Sequence, residues 1–405
     1  MSAPRKLPLI PLLLASCVAY VPSDVDVASI AEDLATRPGG AYTFEEAAVL
    51  TLRHHEELLA AEARARAAGA ATTVALPLLS EWRQRNEALG AMIDPVAMLG
   101  LGPRGAEIEL ADARAVAATT ELAVARWRSL AELAEAYELH RAAASMEAPE
   151  LGDEHLDLDA FVRAGLASPI AVAMLRAARS RARAERVELA RLRDDQLARI
   201  RHLIAVSPTA TLEPLHAAEP ILAEDHADAD LLTRPDIALA AARFEVADRE
   251  LRKAVADQYP SFQIGPSFSL RGDPLRAMGM LKLPIGMQGL AEAARARRDA
   301  ARHEVRDALV EAMLEVETSS NEQQSAAAAQ DTAAAMLAAR RAALGAARAA
   351  LEVGSDAFQA YAAAASEYAQ AVAEHRRAKV ALTLAKVRLA VAYGWPQRDS
   401  LEVLP

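Results

Sequence analysis

Cysteine is almost absent: Cys17 is the only one in 405 residues, so no internal disulfide can form and stability must come from packing. Aromatic residues are scarce too, 4% of the chain against 53% hydrophobic, whereas globular cores of this length use Phe, Tyr and Trp as major packing units. Glycine and proline, 17 and 20 residues, fall below their average share, which excludes a disordered or collagen-like chain. Basic residues are in deficit, 45 against 56 acidic for a net charge of −11, and no basic stripe offsets this, so no nucleic-acid partner is expected. Beyond the N-terminus, Arg and Glu interrupt every alanine-rich stretch before it reaches the ~18 to 20 apolar residues of a membrane-spanning helix.

Alanine fills most of the apolar count. It is the best helix former and lets helix backbones approach closely, so the composition predicts a mainly α protein of long, tightly packed helices. Arg5 and Lys6 precede the apolar stretch Leu7 to Leu14, which runs into Leu14-Ala15-Ser16-Cys17, the layout of a secretory signal peptide. The tetrapeptide resembles a bacterial lipobox, in which Cys17 is lipidated and becomes the first mature residue. Several acyl chains hold a protein firmly to a membrane where one binds only marginally.

Residues 18–42 read as an extended segment. Thr43-Phe44-Glu45-Glu46 then reads as a capping box, opening a helix expected to run to about Ala75. Thr233-Arg234-Pro235-Asp236 looks like a second start, with proline at the first helical position and an acid in the first turn. Glu57 to Arg64 matches Asp236 to Arg243 at an offset of 179 residues, an internal duplication. Each copy, 43–206 and 233–394, continues through an irregular segment, a long helix, a glycine turn and another long helix. Residues 207–232 form the expected linker and 395–405 a tail. The turns are Gly165-Leu166-Ala167-Ser168, followed by Pro169, and Gly354-Ser355. Glycine supplies a left-handed stop and serine the next cap, which makes each an αα-hairpin tip. In the last helix, Val380, Leu384, Val387 and Val391 form one apolar stripe and Leu382, Leu389 and Tyr393 another, about 200° away. A stave in the wall of a tube and a helix buried in a bundle both fit that pattern.

The signal peptide, the duplicated long hairpins and the glycine tips together resemble the TolC-type outer-membrane efflux proteins. The residues that carry the resemblance are Phe44-Glu45-Glu46-Ala47, Arg53 to Leu58, Phe161 to Ser168, Arg234 to Ile237, Tyr259-Pro260-Ser261-Phe262 and Leu283-Pro284-Ile285. The resemblance spans nearly the whole mature chain. It implies a homotrimer whose helices pool into a periplasmic α-barrel and whose strands pool into an outer-membrane β-barrel. It also implies an outer-membrane location through barrel and lipid anchor. The tips would face a periplasmic adaptor (membrane fusion) protein and an inner-membrane pump, which makes Gly165, Leu166, Ser168, Gly354 and Ser355 the implied docking positions.

The membrane segments depart from that pattern. Ser261 to Leu270 alternates cleanly and has the length of a membrane strand, and Ala277 to Ile285 can pair with it across Gly272-Asp273-Pro274. In the first copy Trp82 to Gly90 reads as polar and helix-like, with only Val96 to Leu101 strand-like. Four strands per protomer would give twelve in a trimer, enough to enclose a channel. Two would give six, and even an eight-stranded barrel is filled by side chains. The acidic stretch Glu150 to Asp159, containing Gly152, interrupts the first descending helix. The rival reading is a lipid-anchored coiled coil that has lost its barrel and bridges periplasmic proteins without conducting. No phosphate loop, metal-ligand spacing or catalytic constellation is present in the sequence, so neither enzyme activity nor a cofactor is expected. His54 and His55 point about 100° apart on a helix and read as solvated. The Arg and Glu run from Arg176 to Arg193 reads as a solvated helix face. His202, His216 and His226 read as scattered around the linker.

Overall fold

A computed structural model describes residues 26–37, 39–72, 81–85, 88–92, 102–146, 151, 157–215, 231–269, 276–282, 288–353 and 357–395. Cys17 and the Gly354-Ser355 turn lie outside these residues, as do Val96 to Leu101, His216 and His226. Residues 18–42 are not simply extended: Asp26 caps a helix, α1 (Val27–Thr36), before the short strand β1 (Gly40–Tyr42). The Thr43 capping box forms as expected. The Thr43 hydroxyl accepts from the Glu46 N–H at 3.3 Å and the Glu46 carboxylate accepts from the Thr43 N–H at 2.9 Å. The helix it opens does not run on to Ala75. It breaks at His55, whose extended backbone (φ −69°, ψ 121°) divides α2 (Phe44–His54) from α3 (Glu56–Thr72).

The first copy continues through β2 (Glu81–Arg85), β3 (Ala88–Met92), α4 (Pro103–Ala144), α5 (Leu158–Arg163) and α6 (Pro169–Leu203). The linker is structured in part, because β4 (Leu212–Pro214) pairs in parallel with β1. Gly39 is required there by close approach, since a Cβ would meet the Thr211 carbonyl oxygen at 2.3 Å. The second copy repeats the order with α7 (Pro235–Ala256), β5 (Ser261–Ser269), β6 (Arg276–Lys282), α8 (Gln288–Val353) and α9 (Phe358–Ala392). At 1.5 Å per residue the 66 residues of α8 extend about 100 Å.

Each long hairpin is antiparallel. The Arg340–Glu367 and Glu322–Arg388 ion pairs join α8 to α9 and are centred between residues 353 and 355. In the first hairpin the contacts Asp159–Arg176, Ala143–Arg193 and Glu135–Arg199 are all centred on residues 167 to 168. Descending and ascending legs therefore keep pace even across the gap between α4 and α5. Buried residues on α6 recur at alternating steps of four and three: Ala171, Leu175, Ala178, Ala182, Glu185 and Leu189. A period of 3.5 residues winds helices into a left-handed coiled coil. In α9, Val387 is buried while Val380, Leu384, Leu382, Leu389 and Tyr393 are all half-buried, so both stripes are covered, as a helix packed against α8, α6 and α4 requires.

Two larger apolar clusters hold the helices. One lies towards the tips, where α6 meets Phe358, Tyr361 and Tyr368 of α9. The other lies some thirty residues higher on the helices, where Leu130, Leu133 and Tyr137 of α4 meet Ala47, Ile200 and Leu203. Both clusters contain aromatic residues, and at the upper level they meet one another. Phe44 packs edge-on to Tyr137 at 5.8 Å and against Trp395 at 6.0 Å, and the Tyr137 hydroxyl donates to the Tyr42 and Thr43 carbonyls at 3.2 and 3.3 Å. Burial, then the carboxylates of Glu46 and Glu45, pushes the Tyr137 phenol pKa upward.

Candidate functional site

The first tip is a close fit to its sequence. α5 ends in a Schellman turn in which Leu166 N–H donates to the Phe161 carbonyl at 2.9 Å and Gly165 N–H to the Val162 carbonyl at 3.0 Å. Gly165 takes φ 71°, a conformation that disfavours a side chain, although open space surrounds it. The Ser168 hydroxyl accepts from the Ala171 N–H at 3.2 Å and Pro169 opens α6. Leu166 is 46% exposed and Ile170 is 70% exposed, so the tip presents apolar side chains that its own fold leaves uncovered. At the second tip Val353 is 91% exposed.

At the opposite end of the helices the four strands form one antiparallel sheet in the order β2-β3-β5-β6. This corrects the expectation for Trp82 to Gly90, which is not helix but most of a strand pair, with Arg85 opposite Ala88 and Glu81 opposite Met92. The two copies join through β3 and β5, where Gly90 pairs with Ser267 and Ala88 with Ser269. That ladder stops one residue short of Pro266, which has no N–H to give. β5 and β6 pair along seven positions from Ser261–Lys282 to Ser267–Arg276, as the alternation of the second copy suggested. The nine residues of β5 match the ~9 to 11 of a tilted membrane strand. Among the described residues no helix is long and apolar enough to cross a membrane.

Between tips and sheet lie three polar groupings that sequence reasoning missed. Arg234, read only as part of a helix start, is 3% exposed. Its guanidinium donates to Asp236 at 2.7 and 3.1 Å, to Glu315 at 2.7 Å and to the Ala392 carbonyl at 2.6 Å, and stacks 5.4 Å from the Trp127 ring centroid. Burial acts to lower the Arg234 pKa, but its hydrogen bonds to Asp236 and Glu315, together with the charges of those carboxylates, outweigh it and the net direction is upward. Trp127 donates in turn to the Trp395 carbonyl at 2.8 Å. His55 is buried rather than solvated, because the break in the helix turns its ring inward; its Nδ1 lies 3.3 Å from the Ser129 hydroxyl. His202 is not isolated either, packing edge-on to His55 at 5.7 Å between ring centroids. The Arg176 to Arg193 run is only partly solvated. Glu185 is buried within ion-pair distance of Arg376, 3.0 Å, though not aligned for a hydrogen bond, and Arg193 caps the end of α4 by donating to the Ala143 carbonyl at 2.9 Å. Among the described residues no group of three or more His, Cys, Asp or Glu is placed to hold a metal ion.

No protein-family model and no curated protein matches the sequence. Solved structures do match the fold. The transmembrane-channel protein CusC superposes with a TM-score of 0.73 at 14% identity, covering 87% of this chain and 92% of CusC. The outer membrane protein VceC of Vibrio cholerae gives 0.67 at 19% identity over 87% of this chain and 96% of VceC. The open state of the MtrE outer membrane channel of Neisseria gonorrhoeae gives 0.65 at 18% identity over 87% and 88%. At such identities the likeness is one of architecture, and it agrees with what the capping, tip and strand motifs implied. The chain has the fold of the TolC-type outer-membrane efflux proteins.

Proposed function

We propose that this chain is the outer-membrane component of an export system, a passive duct through periplasm and outer membrane that works with a periplasmic adaptor and an inner-membrane pump. The observation that carries the reading is the four-stranded sheet to which each copy contributes one hairpin. Four strands per protomer make twelve in a trimer, above the eight at which side chains fill a barrel. The strand count weighs against the rival, a coiled coil without a barrel.

Ring closure needs two different surfaces that fit each other, since a heterologous contact closes into a cycle. α6 offers an exposed seam at three-four spacing, Ile170, Ala173, Ala177, Ser180, Ala184 and Val187. α8 offers another, Thr332, Ala335, Ala339, Ala342, Ala346 and Ala349, also exposed and also starting near its tip. Small residues at that period let helices approach closely, so α6 of one copy against α8 of the next is the contact we assign to the trimer. Lipidation at Cys17, the repeat boundaries 43–206 and 233–394, and adaptor docking at both tips belong to the same reading. Purified protein in planar lipid bilayers tests it. Discrete single-channel conductance is expected, and trimers that insert without conducting would favour the adaptor alternative.

A further inference from the structure

The duplicated copies build the same joint twice with different chemistry. The offset of 179 residues sets His55 opposite Arg234. Both side chains are buried, at 7% and 3% exposure, and both stand at the entry to an ascending helix, α3 or α7. Both also meet the last turn of their copy's final helix, His55 through the His202 ring and Arg234 through the Ala392 carbonyl. Those final turns are themselves alike. α6 closes with Val206 N–H to the Arg201 carbonyl around Ala205, and α9 with Trp395 N–H to the Ala390 carbonyl around Gly394. In the second copy the permanent charge of Arg234 is met by two carboxylates. In the first copy the ring's direct contacts are a hydroxyl and another imidazole, and neither carries a negative charge to offset a proton on His55.

We infer that His55, His202 and Ser129 form an acid-sensitive joint. With the His55 ring neutral it holds the end of α6 against the α2–α3 corner, and protonation of that ring loosens the end.

The groups around His55 bear on this from every side. Arg53 and His54 adjoin it on α2, Glu56 and Glu57 on α3, Glu132 lies on α4 and His202 on α6. Burial, then the neighbouring His202, lowers the His55 pKa below its ordinary 6.5; Glu57, Glu132 and Glu56 oppose the shift without cancelling it. A ring harder to protonate in the folded protein contributes its full stability above pH 6.5. That contribution declines as pH falls from 6.5 through the lower folded value. The last turn of α6 is strained, because Ala205 holds φ 52°, a conformation suited to glycine; its carbonyl accepts from Arg37 at 2.8 Å.

Hydrogen exchange on the full-length protein in detergent tests the joint, at pH 7.5 and 5.5 and corrected for intrinsic rates, comparing peptides covering 197–206 and 385–395. Opening at 197–206 should rise severalfold at the lower pH while 385–395 stays within about twofold. His55→Gln should abolish the rise, and His202→Gln, at an exposed position, should reduce it. No rise in the native protein, an equal rise in both peptides, or an unchanged rise in His202→Gln overturns the inference.

Discussion

The upper ends of the two copies are closed in opposite ways. In the first, Leu133 and Ile200 are fully buried and Leu130 and Tyr137 nearly so, and the joint is mostly hydrocarbon. In the second, the corresponding apolar cluster is small, Val387 and Ala390 with Val391 and Trp395 against them, and the closure depends on Arg234 and its two carboxylates. A duplicated scaffold can thus hold equivalent helices either by removing apolar surface from water or by a fully paired buried charge. The two solutions fail differently. Hydrocarbon packing is lost in proportion to the volume removed, whereas a buried ion pair collapses as a unit, since breaking it strands the remaining charges.

Arg234→Met should produce the largest loss, about 3 to 5 kcal/mol, because Asp236, Glu315 and the Ala392 carbonyl lose their shared donor. Denaturant unfolding gives the measure, and combining the change with Asp236→Asn and Glu315→Gln should restore much of the loss. If the triple variant is as unstable as the single one, the knot is not electrostatic in origin. Leu133→Ala, in the hydrocarbon closure of the first copy, should cost about 3 kcal/mol from the cavity left behind, with no second-site charge removal able to rescue it.

Exchanging the turn residues sharpens the contrast at lower energies. Gly394→Ala should cost about 1 to 2 kcal/mol, since φ is 91° and the new Cβ would approach the Arg234 side chain to 3.1 Å. Ala205→Gly should instead be neutral or stabilising by about 0.5 kcal/mol, because it relieves the left-handed strain at some cost in chain entropy. Thermal melting of the pair should show opposite signs. Leu166→Asp should leave stability within about 0.5 kcal/mol, as an exposed tip residue buries little. Cross-linking to an adaptor and export should nevertheless fail, because docking would bury an unpaired carboxylate. A variant that melts early would place Leu166 inside its own tip, and normal cross-linking with normal export would reject docking through it.

Much of the architecture was legible in residue order. Thr43 and Glu46 announced their capping box because a cap is satisfied within four residues, and Gly165 with Ser168 announced a tip for the same reason. Ser261 to Ser269 was legible as a strand from its alternation alone. β2 was not, since Glu-Trp-Arg-Gln-Arg carries no apolar alternation and becomes a strand only by pairing with β3. His55 was misread for a related reason. A helical period turns adjacent histidines to different sides, but the break after His54 discards that period and carries the ring under α4.

By itself, then, the residue order determined the long helices, the caps, the turn at Gly165 and the second copy's strand pair, all of them governed by contacts within a few residues or by a simple period. Only the tertiary structure decided which polar residues were buried and what they met. Arg234 finds Glu315 and Ala392 at separations of 81 and 158 residues, and β3 finds β5 across nearly half the chain. No local pattern encodes such partners, because the free energy that selects them, the cost of leaving a charge or a backbone group unpaired away from water, exists only once the helices have closed around it.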